Sequence, residues 1–301
     1  MHSHLTVVIR PPILFGVSMS FELTQLSLNV YAIKEMDDRN LNPISYVIKG
    51  SERIILIDTG CGCGNMFTYV RGLDFVKDTK ILVINTHNHR EQTGGNWRFS
   101  TTGKFGLGHQ IEGLCASKKH KFYTRLMDSS WHWEVYTYKV TRWLGDEEVI
   151  QLGDKDSVQI FWTPGHTPDS LVIWYKSGRR LFFGDLFYRF DDILFTYPHV
   201  DVRAYESSVK RILNLVNQQP DFADIRFSSA KNDMNEKCLP LLKLYHRFLL
   251  SVLAGTHMGT PLRIDDAEGW RYETRDKAMR IVLGRETVRK LNEAREKART
   301  S

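Results

Sequence analysis

The run "KILVI" at residues 80–84 constrains the fold more than any other feature of the chain, because four apolar residues follow one another without alternation. A strand of this kind is buried on both faces and needs a layer above and below it. Just ahead, "RIILIDTG" reads as a strand and "NMFTYVRGL" carries apolar residues at helical spacing, so a strand, helix, strand unit is expected. The earlier segments "LSLNVYAIKE" and "ISYVIKG" are rich in β-formers and are separated from their neighbours by "DDRNLNP" and "SE". They open the chain as an antiparallel meander.

Further on, "KFGLGHQ" reads as a short strand, and the polar, aromatic stretch from Ile111 to Trp143 is expected to contain helices. "EEVIQLGD", "SVQIFWTPGH" and "SLVIWYKSGRRLFFGD" supply four more strands, the last two joined by a turn at Ser177-Gly178. "DVRAYESSVKRILNLVNQ" is an amphipathic helix with Tyr205, Val209, Ile212, Leu213 and Val216 on one face. "DIRFSS" follows as a strand, then "EKCLPLLKLYHRFLLSVLAG" as a helix stopped by Gly255. Two sheets between helices are the natural arrangement. A chain of 301 residues fits one large domain with an appendage.

Composition narrows the function classes. No run reaches the roughly 18 apolar residues of a membrane span. The net charge is +6, but residues 271–301 alone hold ten Lys/Arg against five Asp/Glu, spaced for pairing along a helix. A solvated terminal helix is the reading preferred over a nucleic-acid patch, and partners are expected to be small molecules. Cys61 and Cys63 are too close for an ordinary bridge, which fits a reducing, cytoplasmic compartment. Arg10 and Pro11-Pro12 interrupt the apolar opening, so residues 1–18 are expected to be a disordered leader, with Met19 an alternative start. The expected organisation is a domain over 19–255 and a charged extension over 256–301.

The chemistry gathers in four short stretches. "NTHNHREQTGG" sets His87 and His89 at the end of the buried strand, "TPGHTPDSLVIW" sets His166 in a Pro-Gly turn, and "LFFGD" ends a strand on Asp185. Several imidazoles converging from different directions suit zinc. Each feature alone has a plainer reading, as a backbone hydrogen bond or a cap. In order, "IDTG", "THNH…GG", "TPGHTP" and "GD" resemble the metallo-β-lactamase superfamily over roughly residues 25–230. The resemblance extends to metallo-β-lactamase domain-containing protein 2 and its fungal relatives, through "LGDKDSVQIFWTPGHTPDSLVIWYKSGRRLFFGDLFY" and "LAGTHMGTPLRID".

That resemblance implies an α+β fold, the four-layer αββα sandwich, here with a C-terminal helical extension. It implies that His87, His89 and His166 ligate a first zinc, that Asp185 is the bridging carboxylate, and that Asp58 organises the site floor. The family pattern His-x-His-x-Asp-His departs here, since Glu91 and Gln92 stand where Asp and His are usual. A further family histidine is missing from "IRFSSAKND", where Ser228, Ser229, Ala230 or Lys231 takes its place. The second site is thus degenerate, and one zinc per chain is expected. Three imidazoles with an open position lower the pKa of a bound water to about 7. Asp185 or Glu91 would take that water's proton.

Other residues keep two readings at this point. Lys231 either points inward as a substitute cation or lies in solvent. Cys61 and Cys63 either offer a soft ligand or belong to a flexible glycine turn. His109 contacts substrate or caps a strand, and the aromatics from Trp131 to Trp143 line an acyl groove or pack on the core. Three functions compete: a one-zinc hydrolase of a thioester or ester such as an acyl-coenzyme A; a pseudoenzyme serving as a binding or scaffold protein; and a nuclease, supported only by the basic tail.

Overall fold

The structure, a computed structural model, describes residues 21–37, 40–100, 110–124, 136–264 and 267–300. The expected leader, Met19, His109, Trp131 and Trp133 lie outside the described residues. Two compact units are formed, the first from the residues up to Phe161 with Ile173–Arg180, the second from Trp162–Val172 and the residues from Leu181 onward.

The first unit carries a seven-stranded sheet in chain order: β1 (Phe21–Ser27), β2 (Val30–Glu35), β3 (Ile44–Lys49), β4 (Arg53–Ile57), β5 (Lys80–Ile84), β6 (Ile111–Ser117) and β7 (Arg142–Leu144). β1 to β4 pair antiparallel, the expected meander. From β4 to β7 the pairing is parallel. The crossover from β4 to β5 contains α1 (Met66–Arg71), whose first turn is capped by Asn65 accepting the Thr68 N–H at 3.1 Å. Ile54–Ile57 and Ile81–Ile84 are all but fully buried, so each contributes about 1.5–3 kcal/mol of apolar burial. Leu56→Ala would cost about 2–5 kcal/mol by opening a cavity. The register matters for the site: Ile57 pairs with Ile84, so the chain leaves both strands at one level and Asp58 comes beside Thr86.

Two local expectations need correction. "LSLNVYAIKE" is not one strand but a hairpin turning at Leu28-Asn29, with Leu28 exposed. The stretch from Ile111 opens with a strand, β6, and closes with another, β7; of its described residues only α3 (Lys121–Thr124) is helical. β6 reads as polar because Glu112 and Ser117 interrupt it, yet Ile111, Leu114 and Cys115 are buried.

A second sheet has six strands in the order β14-β13-β11-β10-β9-β8. In chain order these are β8 (Val149–Gly153), β9 (Asp156–Trp162), β10 (Leu171–Tyr175), β11 (Arg180–Phe182), β13 (Arg226–Ser228) and β14 (Glu236–Lys237). In the second unit, α4 (Val202–Asn217) packs on α5 (Cys238–Ala254) through the expected apolar face. Asp201 caps α4 by accepting the Arg203 and Ala204 N–H groups, and Gly255 closes α5 at φ 78°.

The charged C-terminal part does end in a helix, α6 (Arg285–Thr300), but three strands precede it: β15 (Thr260–Ile264), β16 (Ala267–Glu273) and β17 (Arg280–Gly284). They join β12 (Ile193–Phe195) in a third, four-stranded sheet, where β17 runs parallel to β12. Charge in this region is partly structural, since Asp192 receives Arg271 at 2.6 Å and Arg280 at 3.7 Å.

Candidate metal centre

Directly after β4, Asp58 adopts φ 62°, a left-handed conformation that Asp tolerates better than most residues. Its carboxylate accepts the Thr86 N–H at 2.7 Å and the Thr86 hydroxyl at 2.8 Å. With its only proton committed to Asp58, Thr86 Oγ1 faces His87 Nδ1 at 3.1 Å as an acceptor. His87 therefore donates from Nδ1, which in a neutral imidazole places the lone pair on Nε2. That Nε2 lies 3.2 Å from Nδ1 of His89, whose far nitrogen is 3.5 Å from the Tyr123 hydroxyl. Asn88, between the two histidines, donates to the Tyr123 carbonyl at 3.0 Å and accepts from the Tyr138 hydroxyl at 3.1 Å.

Beneath this loop lies a buried polar network. Asn85 and Asn96 exchange hydrogen bonds at 2.9 and 3.2 Å, and Thr59 and Asn85 both donate to the Gln92 carbonyl. The glycines of "IDTG" and "TGG" are there for close approach. Gly60 sits at φ 74°, and a Cβ on it would come within 2.1 Å of Glu35 Oε2; one on Gly95 would come within 2.4 Å of the Thr59 carbonyl. Glu35, its carboxyl pushed up chiefly by burial, accepts the Cys61 N–H at 2.6 Å and the Gly64 N–H at 3.0 Å.

His166 follows β9 in the turn Pro164-Gly165. Ser208 donates to the Pro164 carbonyl at 2.8 Å and the Asp201 N–H to the Gly165 carbonyl at 2.8 Å, which ties the turn to the start of α4. The imidazole meets the edge of Phe195 at 5.9 Å. Asp185 follows β11, where Phe183 donates to the Ser228 carbonyl at 2.8 Å and Ala230 to the Gly184 carbonyl at 3.0 Å. Asp185 Oδ2 lies 3.4 Å from His166 Nε2, and a tenth of the Asp185 side chain is exposed.

His87, His89, His166 and Asp185 form a group in which one ligand atom from each lies within 4.8 Å of all the others. Three imidazoles and a carboxylate in one buried cluster are a donor set that fits a divalent metal ion and suits zinc in particular. Among the described residues this is the one such cluster.

The other sequence candidates stand apart from it. Glu91 is half-buried and outside the group; Gln92 is buried, its side-chain Oε1 without a hydrogen bond among the described residues. Ser228 and Ser229 spend their hydroxyls on the carbonyls of Met234 and Lys231. Lys231 is half-buried, its ammonium 3.7 Å from Asp191, and lies outside the group. Cys61 is buried, its thiol pushed up first by a hydrogen bond with Cys63 and then by burial, and both thiols lie outside the group. His257 meets the Glu273 carbonyl at 2.8 Å. Of the aromatics, Tyr136 is exposed while Tyr138 packs partly buried against the core of the first unit.

Reading by residue type missed Thr86, Asn85, Asn96 and Tyr123, which carry no metal-ligand signature. Asn85 and Thr86 were nevertheless inside the quoted "NTHNH", where polar residues directly after a buried strand mark a hydrogen-bonded turn. Among the described residues no helix is long and apolar enough to cross a membrane.

Residues 41–217 match the family described as the metallo-beta-lactamase superfamily. The human acyl-coenzyme A thioesterase MBLAC2 is 27% identical over 195 residues, covering 58% of this chain and 68% of that protein. The chicken protein of the same name is 26% identical over 190 residues, covering 58% of this chain and 67% of its own length. Among solved structures, a metallo-beta-lactamase from Pontibacter korlensis superposes with a TM-score of 0.57 at 16% identity, over 76% of this chain and 99% of that one. These structures share the α+β fold.

Proposed function

The chain belongs to the metallo-beta-lactamase superfamily, and from that premise we propose that it is a zinc-dependent hydrolase with one metal ion per chain, acting on a thioester or ester such as an acyl-coenzyme A. The observation that carries the proposal is the buried group His87, His89, His166 and Asp185. The thioesterase relatives supply the substrate class.

His87, His89 and His166 would hold the ion, with Asp185 beside them. A zinc ion supplies Lewis acidity toward a carbonyl oxygen and toward water. The chain's own residues do the rest. Asp58, through Thr86, fixes the His87 tautomer that presents a lone pair on Nε2. Asp185, at 3.4 Å from His166 Nε2, stands where a carboxylate can orient the attacking water and accept its proton. Glu91 lies outside the cluster, so the proton-accepting role goes to Asp185 first. By the family pattern the positions of a second metal fall to Glu91, to Gln92, whose neutral amide is a poor substitute for imidazole, and to Ser228 or Ser229, whose hydroxyls are committed to carbonyls. A thiolate leaves without the help an amine needs, so a thioester is the substrate best matched to a single ion. Four free cysteines fit a reducing compartment, the cytoplasm, as the place of action.

The same departures at Glu91 and Gln92 favour a second reading, a pseudoenzyme that binds a partner on a retained fold. One assay separates the two. Purified protein supplied with zinc should release thiol from acyl-coenzyme A, and a chelator should abolish that release. Protein that holds zinc yet hydrolyses neither thioesters nor activated esters would leave the pseudoenzyme.

A further inference from the structure

Tyr205 lies one turn into α4, fully buried, and touches both ligand-bearing turns of the second unit. Toward His166 the contact is by packing. Gly165, at φ 134°, lies so close to the helix that a Cβ on it would come within 2.3 Å of Tyr205 N and Cα. The Tyr205 ring meets Phe195 edge-on at 4.7 Å, and Phe195 meets His166 edge-on at 5.9 Å. Toward Asp185 the contact is a hydrogen bond, from the Tyr205 hydroxyl to the carbonyl of Leu186, the residue next to Asp185. That carbonyl can only accept, so the tyrosine's single proton is spent there. The hydroxyl of Tyr245, 2.6 Å away, must then be the donor in the Tyr205–Tyr245 bond. Burial first, then the neighbouring Tyr245, hold the Tyr205 phenol well above its usual range, so it keeps the proton it donates.

We propose that Tyr205 is a positioning residue for the metal centre: its ring and backbone set the His166 turn, its hydroxyl sets the Asp185 turn, and together they fix the spacing between those two ligands. The inference rests on the metal-binding reading above. Nothing in the family pattern quoted from the sequence includes this tyrosine. His166 and Asp185 lie 19 residues apart in sequence, so the spacing between their two turns is set by tertiary contacts such as those of α4. Without the hydroxyl, the Leu186 carbonyl loses this donor and the Asp185 turn loses its link to α4, while the apolar packing on Phe195 and Gly165 remains.

The test compares Tyr205→Phe with Tyr245→Phe. Both remove one buried hydroxyl from the same pair, but only Tyr205→Phe removes the bond to Leu186. Zinc affinity is read by competition with a chromophoric chelator, and site geometry by the visible absorption of the cobalt-substituted protein. Tyr205→Phe is expected to weaken zinc about 10- to 100-fold, the loss usual for partners that orient ligands, and to change the cobalt spectrum. Tyr245→Phe should lower thermal stability comparably yet keep the wild-type spectrum. Phe195→Leu provides a second route if Tyr205→Phe does not fold, because it frees the His166 ring and is expected to change the spectrum too. Wild-type affinity and spectrum in Tyr205→Phe, equal changes in the two tyrosine variants, or an unchanged spectrum in Phe195→Leu would overturn the inference. Failure of the wild type itself to bind zinc or cobalt would overturn the metal-binding reading, and this inference with it.

Discussion

The loop bearing His87 and His89 and the turns bearing His166 and Asp185 are held by different forces. The first is fixed by directional bonds, from Asp58 through Thr86 to His87, over the Asn85, Asn96 and Thr59 network. The second pair is fixed through the backbone of its turns: Gly165 packs against α4 and Phe195 against His166, while Ser208, Asp201 and Tyr205 donate to the carbonyls of Pro164, Gly165 and Leu186. A hydrogen bond to a ring nitrogen selects a tautomer, which packing cannot do. A closely packed turn, for its part, does not tolerate the addition of a methyl group.

This contrast can be broken in order of effect. His166→Ala removes a proposed ligand outright, so zinc should be lost on dialysis and thioester hydrolysis should fall to background. Retention of stoichiometric zinc would mean that the cluster is not the site. Asp58→Asn is the sharpest probe of the directional side. The amide replaces one acceptor with a donor, so the Thr86 proton loses its destination and the His87 tautomer is no longer imposed. Zinc affinity should drop about 10- to 100-fold with little loss of thermal stability, as measured by chelator competition and a melting curve.

On the packed side, Gly165→Ala combines a φ of 134° with a 2.3 Å approach to the Tyr205 backbone. Urea unfolding should show a loss of about 1–3 kcal/mol or more. A smaller loss would show that the turn can move away from α4. The least effect is expected from Glu91→Gln. Metal content should not change, and thioester turnover should fall less than in Asp185→Asn; the reverse order would move the proton-accepting role to Glu91.

How far the sequence revealed these features depended on the kind of signal. His87, His89, His166, Asp185 and Asp58 were legible because their residue types follow from the chemistry and their order matches a family pattern. β5, α4 and α5 were legible from apolar spacing alone. The β1–β2 turn was not, because Leu28-Asn29 offers no Gly or Pro and places an apolar side chain in solvent. β6 was hidden by polar residues within a strand whose burial depends on its neighbours. The C-terminal sheet was hidden by charge: Arg271 and Arg280 read as a solvated helix, whereas Asp192, far back in the chain, compensates them. Tyr205 counted only as one apolar position on a helix face; the partner of its hydroxyl is set by tertiary packing, which periodicity cannot report.

The central claim is that this chain retains one working metal site from a fold that ordinarily carries two. The most direct measurement is metal content per chain by elemental mass spectrometry, on protein purified without a histidine tag or added metal, beside a His87→Ala/His166→Ala variant. The account predicts about one zinc per wild-type chain and none in the variant. Two zinc ions per chain, or none even after zinc is resupplied, would contradict it.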